Sequence, residues 1–245
     1  MPILAEQGYI IPAFNTDTTD YESCAQRLRD SLLHWHPKAN VTVITTQDLP
    51  HGDQGGQAND WQMFAASPYR ETIKLEADML VTGPVDHWWT TFRLRDVVIS
   101  QGCRDYHGQP SQARAYRKLF DANQLPDVYN AITYWRLSAT AKQFFDLTKA
   151  IWQNWSQFKT LLKFPDESPT TDVVYAMAAQ IMGPDTVTLP PSMGPSMVHM
   201  KRDIIKGAAK DWRDHCVWEW HDGVLRINTI SQWGFFHYHY KDWQP

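Results

Sequence analysis

A chain of 245 residues, with 23 Lys and Arg against 27 Asp and Glu, has room for one domain with a substantial core and carries a formal charge of −4. That balance excludes chain-wide attraction to nucleic acid or membrane surfaces, and the apolar runs are far shorter than the roughly 20 residues that span a bilayer. The N-terminus has no secretory pattern, and Cys24, Cys103 and Cys216 stand too far apart for a zinc-type spacing or a disulfide framework, so a cytoplasmic protein with buried thiols is expected.

In chain order, the opening reads strand, helix, strand: Tyr9 to Phe14, Asp20 to Trp35, and Asn40 to Thr45. Thr19 and Glu22 have capping-box spacing, Cys24, Leu28, Leu32 and Trp35 recur along one helical face, and Pro37 ends the helix. Gln47 to Asn59 is polar and Gly-containing, a surface loop, and a short helix runs from Asp60 to Ala66. Neither G-x-G-x-x-G nor G-x-x-x-x-G-K occurs, which argues against a dinucleotide dehydrogenase and a P-loop enzyme. Glu71 to Val81 predicts a buried strand running into an acidic pair, and Val97 to Ser100 a further strand.

Between Thr91 and Phe120 six cationic residues (Arg93, Arg95, Arg104, Arg114, Arg117 and Lys118) face two acidic ones, the local basic excess of the chain. With Trp88, Trp89 and Tyr106 to stack on bases it offers a DNA-facing surface, against the plainer reading of a solvated face. Then follow a strand from Tyr129 to Trp135 and an amphipathic helix from Thr140 to Trp155, with Trp152 and Trp155 as packing residues. Thr170 or Thr171 caps a helix through Met182. Strands at Thr186 to Leu189 and Met197 to Met200, a helix, a hairpin turned at His221-Asp222-Gly223 and a last strand from Phe235 to Lys241 complete the chain. The expected fold is α/β: a mixed central sheet flanked by helices, with a C-terminal β-hairpin extension.

Glu76-Ala77-Asp78 carries the most chemistry. A strand end holds side chains at the sheet edge where open α/β folds bind ligands, and carboxylates one residue apart both reach one hard cation. Such a cation keeps positions open for phosphate oxygens; the plain alternative is a solvated strand end.

The surrounding stretch, Ser67 through Val81, resembles the strand-plus-acidic-motif segment of GT-A-fold glycosyltransferases, especially family 8, with Glu76 where that family has Asp. Tyr9-Ile-Ile-Pro-Ala-Phe-Asn15 with Tyr21 is similar to the family's first strand and base-binding corner. Tyr129-Asn130-Ala131-Ile132-Thr133-Tyr134 resembles its Asn-Ala-Gly segment, with Ile132 in place of Gly, and Thr171-Asp172 its acidic position lining the donor sugar. The pattern is also similar to glycosyltransferases of tailed phages, some relatives of which decorate hydroxymethylated DNA bases.

The resemblance implies one domain over residues 1–245, its donor-binding half about 1–100 and its acceptor and sugar half about 101–245. It implies a nucleotide-sugar donor, a uridine diphosphate sugar being expected, with Mn²⁺ or Mg²⁺ on Asp78, Glu76 and a C-terminal His. His237 is favoured, because His237-Tyr-His239-Tyr-Lys241-Asp-Trp243 keeps the His-Tyr and Lys-x-Trp elements; His199 is the second candidate. Lys241 then serves the β-phosphate, Asn15 and Tyr21 the nucleoside, Lys74 and Arg70 a phosphate or base, and Asn130 and Asp172 the sugar, with Asp172 as base or charge stabiliser. The plain readings are a core histidine, a helix-start acid, a turn-closing Asn15 and solvated cations. The acceptor is modified DNA, a glycan or a small molecule. Two other functions fit the same residues: a metal-dependent nucleotidyltransferase or phosphohydrolase, and a degenerate GT-A-like module binding nucleic acid or carbohydrate.

Overall fold

The computed structural model describes residues 2–111, 117–194, 197–200 and 211–245. The predicted opening unit forms as β1 (Ala5–Pro12), α1 (Tyr21–Trp35) and β2 (Val41–Ile44). The cap lies one residue further on than Thr19: the Asp20 carboxylate accepts the Ser23 amide at 3.0 Å. Glu22 instead exchanges two hydrogen bonds with Asn15, its amide donating to Asn15 Oδ1 and its carboxylate accepting from Asn15 Nδ2. A carboxylate outcompetes a hydroxyl for the helix-start amides, since it adds charge to the same geometry.

Next come α2 (Met63–Ala66), β3 (Tyr69–Leu75), β4 (Met79–Val81), α3 (His87–Phe92), β5 (Val97–Gln101), β6 (Cys103–Arg104), β7 (Pro110–Ser111) and α4 (Arg117–Ala122). The second part holds β8 (Val128–Arg136), α5 (Ala139–Gln153), α6 (Trp155–Leu162), α7 (Thr171–Met182), α8 (Pro184–Val187) and β9 (Met197–His199). The last strands are β10 (Trp218–His221), β11 (Val224–Ile227), β12 (Ile230–Ser231) and β13 (Phe235–His237). The hairpin turn has φ of 47° at Asp222 and 75° at Gly223, the two-residue turn that Asp-Gly favours.

Three expectations are corrected. The strand predicted over Glu71 to Val81 is two strands, β3 and β4, lying in different sheets with the acidic pair between them. Thr186 to Leu189 is not a strand: Gly183 at φ 86° breaks α7, and Pro184 at the first position starts the short α8. The last strand stops at His237, because His239 turns to φ 67°. The helix predicted after Met200 falls largely on residues 201–210, outside the described residues.

The central sheet has the order β2-β1-β3-β8-β5, with β1 parallel to β2 and β3, and β8 antiparallel to β3 and β5. It is covered on both faces. Along β1, Tyr9 and Ile11 pack with Cys24, Leu28 and Leu32 of α1, whereas Ile10 faces the opposite cluster with Phe144 of α5 and Tyr175 of α7. A second sheet, β4-β13-β9-β6-β7, stands beside it, and β10-β11-β12 forms a small third one over a core containing Trp212, Tyr238 and Trp243. Cys24 and Cys216 are buried as expected, but Cys103 is only half-buried.

One close approach fixes the β1–β3 pair. The Tyr69 ring lies over Gly8, where a Cβ would meet ring carbons at 2.4 Å, and the Tyr69 hydroxyl is tied to Thr42 Oγ1 at 2.6 Å, so the ring has no easy retreat. Gly8→Ala is expected to cost about 1–3 kcal/mol through overpacking. A lowered urea midpoint with an unchanged slope is the result that checks it.

Candidate active site

The site is assembled by strand register. β3 ends at Leu75, paired with Ile132 of β8, and the Glu76 amide still donates to the Ala131 carbonyl at 3.0 Å. The chain then crosses to the second sheet through Ala77 and Asp78. There β13 runs antiparallel to β4, setting His237 opposite Met79, and the Tyr238 amide donates to the Asp78 carbonyl at 3.2 Å. On the other side of β13, parallel β9 sets His199 opposite His237. Backbone pairing thus draws residues more than 150 positions apart onto the acidic link.

His237 Nε2 lies 3.0 Å from Asp78 Oδ2 and 3.6 Å from Glu76 Oε2. Lys241 Nζ sits 2.7 Å from the same Asp78 oxygen and also donates to the His239 carbonyl at 2.9 Å. Burial pushes the Asp78 acid up, but His237 and Lys241 outweigh it and hold Asp78 below the usual carboxylate range. For Glu76, burial dominates; offset by His237 and reinforced by the Asp78 and Asp172 carboxylates, it pushes the acid up to about 7. Burial alone lowers the Lys241 ammonium, yet contact with Asp78 raises it overall. The two acids, one residue apart, are therefore electrostatically unlike.

Among the described residues Asp78, His237 and His239 form a group whose ligand atoms all lie within 4.8 Å of one another. His237 Nε2 is buried and makes no hydrogen bond despite its nearness to Asp78 Oδ2. A carboxylate oxygen and a ring nitrogen converging without a shared hydrogen bond suit a divalent cation between them, so the residues fit the ion that the acidic motif implies. His239 was not among the candidates read from the sequence. The available signal was its place two residues after His237 in the same run, although its φ of 67°, uncommon for a non-glycine residue, takes it out of the strand. His199, the second candidate ligand, is fully buried behind His237 and contributes no atom to this group.

These groups form one wall of a cavity of about 480 Å³, within the range of small-molecule sites. Asn130 and Asp172 line it as well: the Asn130 amide donates to Asp172 Oδ1 at 2.8 Å, fixing the first turn of α7 against β8. Tyr21 and Phe14 line the end nearest α1. Lys74 also borders the cavity but is 1% exposed, its ammonium held by Asp60 and, at 2.7 Å, by Asn130 Oδ1, while the Tyr175 hydroxyl donates to the other Asp60 oxygen. It is enclosed, not solvated as its strand position implies.

The remaining candidates lie elsewhere. Asn15 is exposed, paired with Glu22, and does not line the cavity. Arg70 pairs with Glu6 at the surface. Of the basic excess, Arg93 is bonded to Glu71 and Gln7, Arg95 to the Asp185 carbonyl and Arg104 to the Gly108 carbonyl; Arg114 and the side chains of Arg117 and Lys118 lie outside the described residues. Trp89 is buried with its indole donating to Tyr9 and has no face open to a base, whereas Trp88 is half-buried and stacks on Phe92.

No protein-family profile and no curated protein matches the chain. Among solved structures, mouse xyloside xylosyltransferase 1 in its apo form aligns with a TM-score of 0.50 at 10% identity, covering 98% of this chain and 100% of that one. An active-site variant of LgtC aligns with a TM-score of 0.47 at 12% identity over 95% and 87% of the two chains. A glycosyltransferase involved in glycosylation of the major capsid of PBCV-1 aligns at 0.42 and 11% identity over 95% and 93%. The mixed sheet with its flanking helices is the GT-A fold, as expected from the sequence. No helix among the described residues is long and apolar enough to cross a membrane.

Proposed function

We propose that this chain is a metal-dependent glycosyltransferase that moves a sugar from a nucleotide-sugar donor to an acceptor hydroxyl. The observation that carries the reading is the convergence of Asp78, His237 and His239 on one wall of a ligand-sized cavity bordered also by Asn130 and Asp172. The fold supports the reading because GT-A sheets place ligands at this strand end. Two imidazoles beside one carboxylate favour Mn²⁺ over Mg²⁺. When bound, the ion neutralises charge on the departing diphosphate.

The chain's own groups divide the remaining work. Lys241 offers a point charge to a phosphate oxygen, and Glu76 adds a carboxylate to the same wall. Tyr21 and Phe14 give an aromatic end for the nucleoside, drawn from the first half of the chain. Asp172, held by the Asn130 amide, presents a carboxylate to the sugar side, where it stabilises positive charge at the anomeric carbon or accepts the acceptor's proton. Lys74 acts through Asn130: its ammonium occupies the amide oxygen, which turns the Nδ2 donors away from it.

The test is thermal unfolding against nucleoside diphosphates and nucleotide sugars, each with and without Mn²⁺, followed by assay of nucleoside diphosphate release with hydroxymethylated DNA, glycan and small-molecule acceptors. A donor at about 100 times its Kd adds roughly 2.7 kcal/mol. A shift that needs Mn²⁺ and one donor, with diphosphate released on adding an acceptor, is expected. Pyrophosphate release would instead favour nucleotidyl transfer, and the absence of any metal-dependent shift overturns the proposal.

A further inference from the structure

Behind the proposed ion site stands a second imidazole that the chemistry above does not use. His199 is fully buried, and its Nδ1 lies 2.9 Å from His237 Nδ1, with ring centroids 4.5 Å apart. The contact is built in by register: β9 and β13 set these residues opposite each other, and the Met200 amide donates to the His237 carbonyl at 3.0 Å. Tyr129 packs edgewise on His199, with ring centroids 5.2 Å apart, and at a tilt on His237, at 6.0 Å.

Two facing ring nitrogens at that distance share one hydrogen, and which ring owns it decides what the opposite nitrogen of His237 can do. An imidazole that ligates through Nε2 has a lone pair there, so in the neutral ring the hydrogen sits on Nδ1. His237 Nδ1–H then donates to His199, whose own hydrogen is on Nε2. In the reverse arrangement His199 Nδ1–H donates, and His237 carries its hydrogen on Nε2, aimed at Asp78, where it blocks an ion. Ligating histidines usually hold this second hydrogen bond to a carboxylate, carbonyl or water. Here the group facing His237 Nδ1 is another histidine.

We infer that His199 is a positioning residue: by accepting a hydrogen bond from His237 Nδ1–H it fixes the ring orientation and tautomer that turn His237 Nε2 into an ion ligand. The inference rests on the ion site proposed above and adds to it a residue that touches neither ion nor donor.

The test compares Mn²⁺ affinity, measured by titration without any donor, in wild type, His199→Asn and His199→Phe. Asn places an amide oxygen near the imidazole Nδ1 position and retains an acceptor, whereas Phe keeps an aromatic ring and removes it. His199→Phe is expected to bind Mn²⁺ about 10- to 100-fold more weakly, and His199→Asn to recover most of that loss. Nitrogen-15 correlation spectra of wild type loaded with diamagnetic Zn²⁺ are expected to show His237 protonated on Nδ1 and His199 on Nε2. Those spectra also decide the matter should the Phe variant fail to fold. Equal Mn²⁺ affinity in a folded His199→Phe, or a hydrogen on His199 Nδ1 in the loaded protein, overturns the inference while leaving the ion site standing. Failure of wild type to bind Mn²⁺ overturns the ion site, and this inference with it.

Discussion

Asp78→Asn is expected to lower sugar transfer by at least about 100-fold and to remove the Mn²⁺-dependent part of donor stabilisation, while the protein still folds. Asn keeps the shape of Asp78 and an oxygen for Lys241, so the link between β3 and β4 retains its backbone path. What it removes is the negative charge. In the native site that charge has His237 at 3.0 Å and Lys241 at 2.7 Å, and it is the group held most firmly as an anion. Replacing the carboxylate weakens a charged hydrogen bond to Lys241, which costs about 1.5–3 kcal/mol at most, since Lys241 remains partly open to the cavity. The variant should therefore melt a few degrees lower yet show one cooperative transition. Its kinetics decide the issue: unchanged kcat/KM in a folded Asp78→Asn protein rules out the assignment of Asp78 as an ion ligand.

The largest loss of stability is expected at Lys74. Its ammonium is 1% exposed and bonded to Asp60 and Asn130, and Asp60 is itself 8% exposed, its second oxygen held by the Tyr175 hydroxyl. Lys74→Met fills the space but leaves a buried carboxylate without its cation, a situation that typically costs about 3–5 kcal/mol. In a chain of this size each kcal/mol moves Tm by roughly 2–4 °C, so a drop of roughly 6–20 °C is expected by calorimetry. The second arm removes both charges. Lys74→Met with Asp60→Leu should recover much of the lost stability, because no unpaired ion remains inside. If the single and double variants melt together, the pair contributes nothing through its charges. Both variants free Asn130 Oδ1 from its ammonium, so weaker donor binding is expected even in the stable double variant.

Much of the architecture was legible from local pattern. A short continuous apolar run marked β1, whose Ile10 and Ile11 pack on opposite faces of the sheet, and the helical spacing of Cys24, Leu28 and Leu32 marked the buried stripe of α1. The Asp-Gly turn and the Thr170 cap are local chemistry and appear where the residues put them. The break between β3 and β4 was hidden, because apolar residues continue through it and nothing local says that they serve two sheets. Gly183 and Pro184 did carry a readable signal, a helix end followed by a helix start, which the β-branched Thr186 to Thr188 obscured.

The site divides in the same way. Glu76, Asp78 and Asp172 were visible as acids at element ends, where strands and helices aim side chains at a shared edge. The enclosure of Lys74 was hidden because its partners are 14 and 56 residues away, beyond any periodic pattern, and a lysine in a strand gives no sign of being buried. The placing of His199 against His237 depends on β13 lying between β4 and β9, a pairing that sequence spacing does not contain. Asn15 exchanges two hydrogen bonds with Glu22 at the turn into α1, a local pairing that the spacing of the two residues does not announce.

The carbonyl of Lys241 accepts from the Arg27 guanidinium at 3.0 Å and lies 3.6 Å from Cys24 Sγ, both on α1. α1 begins at Tyr21, beside the cavity, and Lys241 reaches Asp78. α1 thus lines the cavity through Tyr21 and at the same time tethers the strap carrying Lys241. A change at Arg27, which does not line the cavity, therefore reaches the ammonium beside Asp78 through the Lys241 backbone.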